Sequence, residues 1–213
     1  MNAPVANAQA KMLNATPIAF PCSSAPVTRV TQVQTYAGGK EIYTPGEKSG
    51  TFYEVEFGAV RLHRLLSDGR RQVIGFYLAG ETFGFEADRT HAFFAEAIVP
   101  TGLRSFSQPG SGDDILKLAL RGMLRAQEHL AVIGRQTAVE RIAGFLLDMA
   151  NRQGNLDHFD LPMSRLDIAD YLGLTIETVS RVFAKLRASN LIKLQSVRCV
   201  QIQDFKALAS LCA

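Results

Sequence analysis

Glu177, Ser180 and Arg181 stand at i, i+3 and i+4, so a helix would carry all three on one face, with Thr178 and Lys185 beside them. These side chains can accept from and donate to the edges of nucleic-acid bases. Val179, Val182, Phe183 and Leu186 fall on the opposite face and form an apolar stripe. A helix needs such a stripe to fold, but it has no structural need of Glu-x-x-Ser-Arg. The polar face therefore reads as a recognition surface.

The flanking residues predict how that helix is held. Leu166, Ile168, Ala169 and Leu172 give a short apolar-periodic helix that stops at Gly173, a residue suited to the left-handed C-terminal conformation. Thr175 then occupies the N-cap position. Two helices joined in this way make a helix-turn-helix with a base-capable second helix. A plain αα-corner shares the spacing but does not account for the polar face. Leu191–Ile202 follows as a β-hairpin around Ser196, which makes a wing. From Thr178 to Gln203 the chain carries five bases (Arg181, Lys185, Arg187, Lys193, Arg198) and no acid, although the net charge of the whole chain is only +3. A local basic stripe of this kind is what phosphates require.

Upstream, the pattern changes. Residues 1–25, rich in Ala, Asn, Pro and Ser, are expected to form a flexible tail. From Val27 to Gln108 short β runs alternate with turns: Thr51–Phe57, Gly58, Ala59–Leu66, the Ser67-Asp-Gly-Arg turn and Arg71–Leu78. Asp68-Gly69 is a hairpin signal, and the regular spacing suggests a small sandwich or barrel. Gly46, Gly58, Gly69, Gly80 and Gly84 are assigned to turns. Asp113 and Asp114 open a long helix at its positive end. Along it Leu116, Ala119, Met123, Ala126, Leu130, Ile133 and Thr137 recur at alternating spacings of three and four, a heptad seam. The seam is expected to pair two copies of the chain, small Ala119 and Ala126 allowing close approach, because a reader with one recognition helix gains palindromic specificity by dimerising. A further helix is expected over Ala138–Arg152.

Composition excludes several classes. With 47% apolar residues the chain can build cores and is not wholly disordered. Cys22, Cys199 and Cys212 are too few and too scattered for a disulfide framework. No secretory signal is expected, and the longest apolar run, Ile142–Leu147, is far shorter than a bilayer span. A cytoplasmic location and no membrane contact follow as expectations. The four histidines (His63, His91, His129, His158) form no H-x-x-x-H pair, and no catalytic constellation has the necessary spacing, so neither an enzyme nor a metal site is expected.

The order of parts, together with Leu174-Thr-Ile-Glu-Thr-Val-Ser-Arg and the Gly80-Glu-Thr-Phe-Gly-Phe-Glu segment, resembles the cyclic-AMP receptor protein superfamily. Within it the chain looks like the fumarate–nitrate reduction regulator branch, and in particular like FixK-type regulators of nitrogen fixation and microaerobic respiration. The resemblance implies an α+β fold. A flexible tail (1–25) would precede a cyclic-nucleotide-binding-like β-roll (26–111), a dimerisation helix (112–138) and a winged helix-turn-helix domain (139–213). It places Glu177, Ser180 and Arg181 on base edges, and Ser164, Arg165 and Thr178 on phosphates. The chemistry agrees: an Arg fork matches the acceptors of guanine, Glu accepts from cytosine, and Ser leaves room for a thymine methyl. Ile176 stands where cyclic-AMP receptor proteins carry an arginine, which favours a palindrome like TTGAT-N4-ATCAA. The implied partners are double-stranded DNA, RNA polymerase (contacted mainly as an activator) and a second copy of the chain.

No effector is expected. Three cysteines cannot supply the four thiolates of an iron–sulfur cluster. Gly80-Glu81 fits a cyclic-nucleotide cassette, but Arg89 has Asp88 beside it, and alignment back from Phe93 puts His91 at the phosphate position. A nucleotide in the roll, or haem on His63 or His91, is the competing reading, that of an effector-gated regulator of the same fold. Cys199, next to Arg198 in the wing, reads either as an oxidisable thiol near cations or as an ordinary half-buried strand cysteine.

Overall fold

The computed structural model describes residues 32–86, 88–107, 112–154, 157–196 and 198–212. The expected tail over 1–25, Cys22 and the first residues of the expected roll lie outside the described residues.

Among the described residues eight strands come first: β1 (Gln34–Tyr36), β2 (Glu41–Tyr43), β3 (Phe52–Phe57), β4 (Ala59–Leu65), β5 (Arg71–Leu78), β6 (Thr82–Phe83), β7 (Phe94–Ala97) and β8 (Thr101–Phe106). They form two four-stranded antiparallel sheets, ordered β1-β8-β3-β6 and β2-β7-β4-β5. Alternate residues of both sheets, among them Val55, Val60, Leu62, Phe83, Ala95 and Leu103, meet in one buried cluster. The expected turn glycines all have positive φ. Gly58, between β3 and β4, is the most constrained: a Cβ there would lie 2.5 Å from Pro100 O and from Thr101 Oγ1.

Strand β5 explains its own near-continuous apolar run. Val73, Phe76 and Leu78 join the core of the helical region, while Ile74 and Tyr77 pack against the core of the roll. One strand thus serves two cores, and the period-2 alternation that marks a half-buried strand is lost.

The helices are α1 (Gly112–Ile133), α2 (Ala138–Arg152), α3 (Arg165–Leu172), α4 (Ile176–Ala188) and α5 (Phe205–Ser210). Helix α1 buries none of its residues within the chain, and Leu116, Met123 and Leu130 are 58%, 51% and 68% exposed. Two sequence expectations need correction here. The helix ends at Ile133 and not at residue 138, and Thr137 is no part of its seam. Thr137 has extended backbone, accepts from Glu140 N at 3.2 Å and caps α2. The Thr-x-x-Glu pattern starts a new helix at this point and outweighs the heptad spacing that reaches Thr137.

Helix α2 buries Ile142, Phe145, Leu146 and Met149. The wing holds one strand more than the sequence suggests: β9 (His158–Asp160) pairs with β11 (Cys199–Ile202), which pairs with β10 (Ile192–Leu194). Three residues are too few for a periodic signal, and neither β9 nor the short α5 is legible in the sequence. Among the described residues no helix is long and apolar enough to cross a membrane.

Candidate nucleic-acid interface

Helix α3 begins with a capping box. Ser164 Oγ accepts from Asp167 N at 3.1 Å, and Ser164 N donates to Asp167 Oδ2 at 2.9 Å. It ends at Gly173 in the left-handed conformation (φ 65°, ψ 40°). Two residues later Thr175 caps α4, its hydroxyl accepting from Thr178 N at 3.2 Å. The turn is thereby specified at both ends by residues that satisfy the helix termini.

On α4 the two faces separate as the spacing predicts. Val179, Val182, Phe183 and Leu186 are buried, whereas Glu177, Ser180, Arg181 and Lys185 are exposed. Glu177, in the first turn, has its carboxyl held below the usual range by its own backbone N–H and the Thr175 hydroxyl, with Arg181 adding to the effect. It is an anion at neutral pH, ready to accept. Arg187, Lys193 and Arg198 extend the exposed basic surface from α4 into the wing.

The three residues expected at phosphates are placed differently from one another. Thr178 is half-buried, and its hydroxyl lies 3.0 Å from that of Thr175; whichever of the two does not donate in this bond keeps an O–H for an anion. Arg165 stacks its guanidinium 3.4 Å above the Phe183 ring, and burial lowers its pKa to about 10, so it stays cationic. Ser164 donates its single O–H to Asp167 Oδ2 at 2.8 Å. A phosphate could receive that proton only if this bond to Asp167 opened, while the Ser164 oxygen caps α3. Cys199 is half-buried, with Sγ 3.9 Å from Gln195 Oε1 and its N–H donated to Ser196 Oγ.

In the roll, Glu81 is fully engaged from within the chain. Its Oε1 accepts from Arg152 Nε at 3.0 Å and is ion-paired with Arg125 Nη2 at 2.9 Å, and its Oε2 accepts from Arg152 Nη2 at 2.7 Å and Leu78 N at 2.8 Å. Arg89 is exposed. His91 is buried, stacked on Tyr43 with centroids 3.6 Å apart, and His63 stacks on Phe94 at 5.1 Å. His91 Nδ1 also lies 3.4 Å from Glu86 Oε1, while His63 Nδ1 is buried without a hydrogen-bond partner among the described residues.

Sequence reasoning missed two residues of α3. Asp167 and Asp170 were only polar spacers in an apolar-periodic helix, yet both pair with arginines of the roll. The Ser164-x-x-Asp167 spacing signals a cap, but no local pattern reveals partners about a hundred residues away.

Residues 33–107 match the cyclic nucleotide-binding domain model and residues 140–211 the Crp-like helix-turn-helix domain model. The chain is 56% identical to the nitrogen fixation regulation protein FixK of Rhizobium meliloti (strain 1021), over 88% of this chain and 90% of that protein. It is 42% identical to FixK of Azorhizobium caulinodans, over 83% of this chain and 77% of that protein. The structure of FixK2 from Bradyrhizobium japonicum superposes with a TM-score of 0.79 at 38% identity, covering 87% of this chain and 98% of that one. Joined to the described roll, helix and winged helix-turn-helix, these likenesses make the chain a member of the Crp/FNR family of transcriptional regulators, in its FixK branch.

Proposed function

We propose that the chain is a homodimeric cytoplasmic DNA-binding regulator, mainly an activator acting with RNA polymerase, that reads a TTGAT-N4-ATCAA-like palindrome and needs no small-molecule effector. Its genes would be those of nitrogen fixation and low-oxygen growth, as the names of the FixK relatives suggest. The observation that carries this reading is the face of α4: Glu177, Ser180 and Arg181 are exposed together while the opposite stripe is buried. Arg181 would take the O6 and N7 of guanine, Glu177 the amine of cytosine, and Ser180 would allow a thymine methyl to approach. Arg165 and Thr178 would set the docking register on phosphates; Ser164 would serve them through the cap.

Pairing through α1 is supported by its exposed Leu116, Met123 and Leu130, with Ala119, Ala126 and Ile133 completing the seam. Effector independence is supported by Glu81, whose two oxygens already hold three internal donors and the Arg125 cation. Fluorescence anisotropy of the purified protein, in air and without ligand, tests palindrome reading and effector independence on the palindrome and a scrambled duplex at one stated salt concentration. Selective binding supports the reading, and equal binding to both duplexes counts against it. A second reading, a regulator gated by a nucleotide in the roll, is favoured by the match of residues 33–107 to the cyclic nucleotide-binding domain. Selective binding that appears only on adding a cyclic nucleotide would establish it.

A further inference from the structure

The helix-turn-helix is tied to the roll through one carboxylate. Asp167 is in the first turn of α3, with its side chain 3% exposed. Its Oδ2 closes the capping box with Ser164. Its Oδ1 faces the other way and accepts from Arg61 Nη1 at 2.6 Å and from Arg71 Nη2 at 2.7 Å. Arg61, on β4, extends its other terminal nitrogen to Glu96 Oε1 at 2.7 Å, and Arg71, at the start of β5, also meets Asp170 Oδ2. All five side chains are largely shielded from water. Burial pushes the Asp167 carboxyl up, but the Ser164 hydroxyl and amide and the two guanidinium groups outweigh this and hold it below the usual range.

This arrangement constrains direction as well as distance. Guanidinium–carboxylate bonds are planar and angle-dependent, and the carboxylate they hold is itself bonded to the N-terminal turn of α3. The axis of α3 is therefore referred to strands β4 and β5. The Gly173–Thr175 turn, capped on both sides, passes that reference on to α4. In the latched arrangement Glu177, Ser180, Arg181 and Lys185 remain exposed, so the latch presents the reading face and does not mask it. A dimer that reads two half-sites a helical turn apart depends on that orientation.

We propose that Asp167, gripped by Arg61 and Arg71, is an interdomain latch that keeps the helix-turn-helix in its DNA-reading orientation without a ligand. The three are positioning residues, and the proposal rests on the assignment of α4 as the DNA reader.

The test uses full-length protein and two readouts: hydrogen exchange of the α3 and β5 amides, and anisotropy on the palindromic and scrambled duplexes. R61Q/R71Q should exchange faster in α3 and bind the palindrome about tenfold or more weaker, with reduced selectivity. R61K/R71K, which keeps both charges, should return to within roughly threefold of wild type. E96Q, which removes only the negative charge of the Arg61 partner within the roll and keeps its acceptor oxygen, should leave both readouts unchanged. Wild-type exchange and affinity in R61Q/R71Q would overturn the latch, and so would tighter DNA binding, which would mean restraint in place of presentation. If R61Q/R71Q does not fold, R71Q alone, with Arg61 still on Asp167, is judged by the same readouts. If the wild type itself fails to select the palindrome, the DNA assignment falls while the exchange comparison still decides the latch.

Discussion

The rings of His129 on α1 and Tyr171 on α3 are stacked almost parallel, 3.8 Å apart and inclined by 4°, and His129 Nε2 lies 3.0 Å from the backbone carbonyl of Tyr171. A carbonyl can only accept, so the hydrogen of neutral His129 sits on Nε2. Burial lowers the pKa of His129 below 6.5, against the opposing pull of that carbonyl. The folded state thus prefers the neutral ring. Its stabilising effect is complete above the unfolded value and is lost as pH falls from there through the lower folded value. Thermal melts should show Tm falling from about pH 7 towards about pH 5. His129→Gln keeps a donor for the carbonyl and should flatten that slope without abolishing it, because His63 is shifted in the same direction by burial. An unchanged slope would remove His129 from the account.

Because no residue of α1 is fully buried and Met123 is 51% exposed, the apolar face of α1 can be altered without unfolding the protomer. Met123→Glu should convert a dimer into a monomer of 23.3 kDa in light scattering, with an unchanged circular dichroism spectrum. Thr137→Ala should leave the dimer intact and instead cost about 1 kcal/mol through loss of the α2 cap. A dimer weakened by Thr137→Ala would put Thr137 back in the seam.

Arg181→Ala should weaken binding by roughly 1–3 kcal/mol and relax selectivity at one base pair per half-site, since a bidentate donor is lost and no core packing changes. Anisotropy on a set of single-base-pair variants checks this. Uniform weakening on every duplex would identify Arg181 as a phosphate contact.

Gly58→Ala should destabilise the fold by about 2–3 kcal/mol in denaturant titrations, combining strain at φ 85° with a clash against Pro100 and Thr101. Gly69 has a similar φ of 83°, but a Cβ there would meet nothing within 4 Å, so Gly69→Ala should cost only about 1 kcal/mol. Equal losses would show that the clash at Gly58 is relieved by movement of its neighbours.

The helix-turn-helix was legible in the sequence because each of its determinants is local. A stop at Gly173, a cap at Thr175 and two faces on Ile176–Ala188 are consequences of backbone sterics and the helical repeat, and they appear in the structure at those residues. The hairpin at Asp68-Gly69 is local in the same sense, with Asp68 Oδ1 accepting from Arg70 N. Thr137 shows the limit of such reasoning, where two local rules compete: heptad spacing carries the seam to it, but capping chemistry assigns it to α2. Ser164 is similar: its oxygen caps α3, and its O–H is the one proton that the Asp167 carboxylate and a phosphate would both take.

What the sequence alone determined about this protein is most of its elements, β9 and α5 apart, and the division of α4 into a buried and an exposed face. Propensity, caps and periodicity operate within a few residues and survive in any context that buries the apolar side. Tertiary structure alone decided which charges meet. Arg61 and Arg71 are about a hundred residues from Asp167, and Glu81 is likewise far along the chain from Arg152. Nothing in their neighbourhoods marks them as partners. Only the packing of β5 against α3 brings Arg61 and Arg71 to Asp167 out of water, where an unpaired charge is costly and a paired one fixes direction.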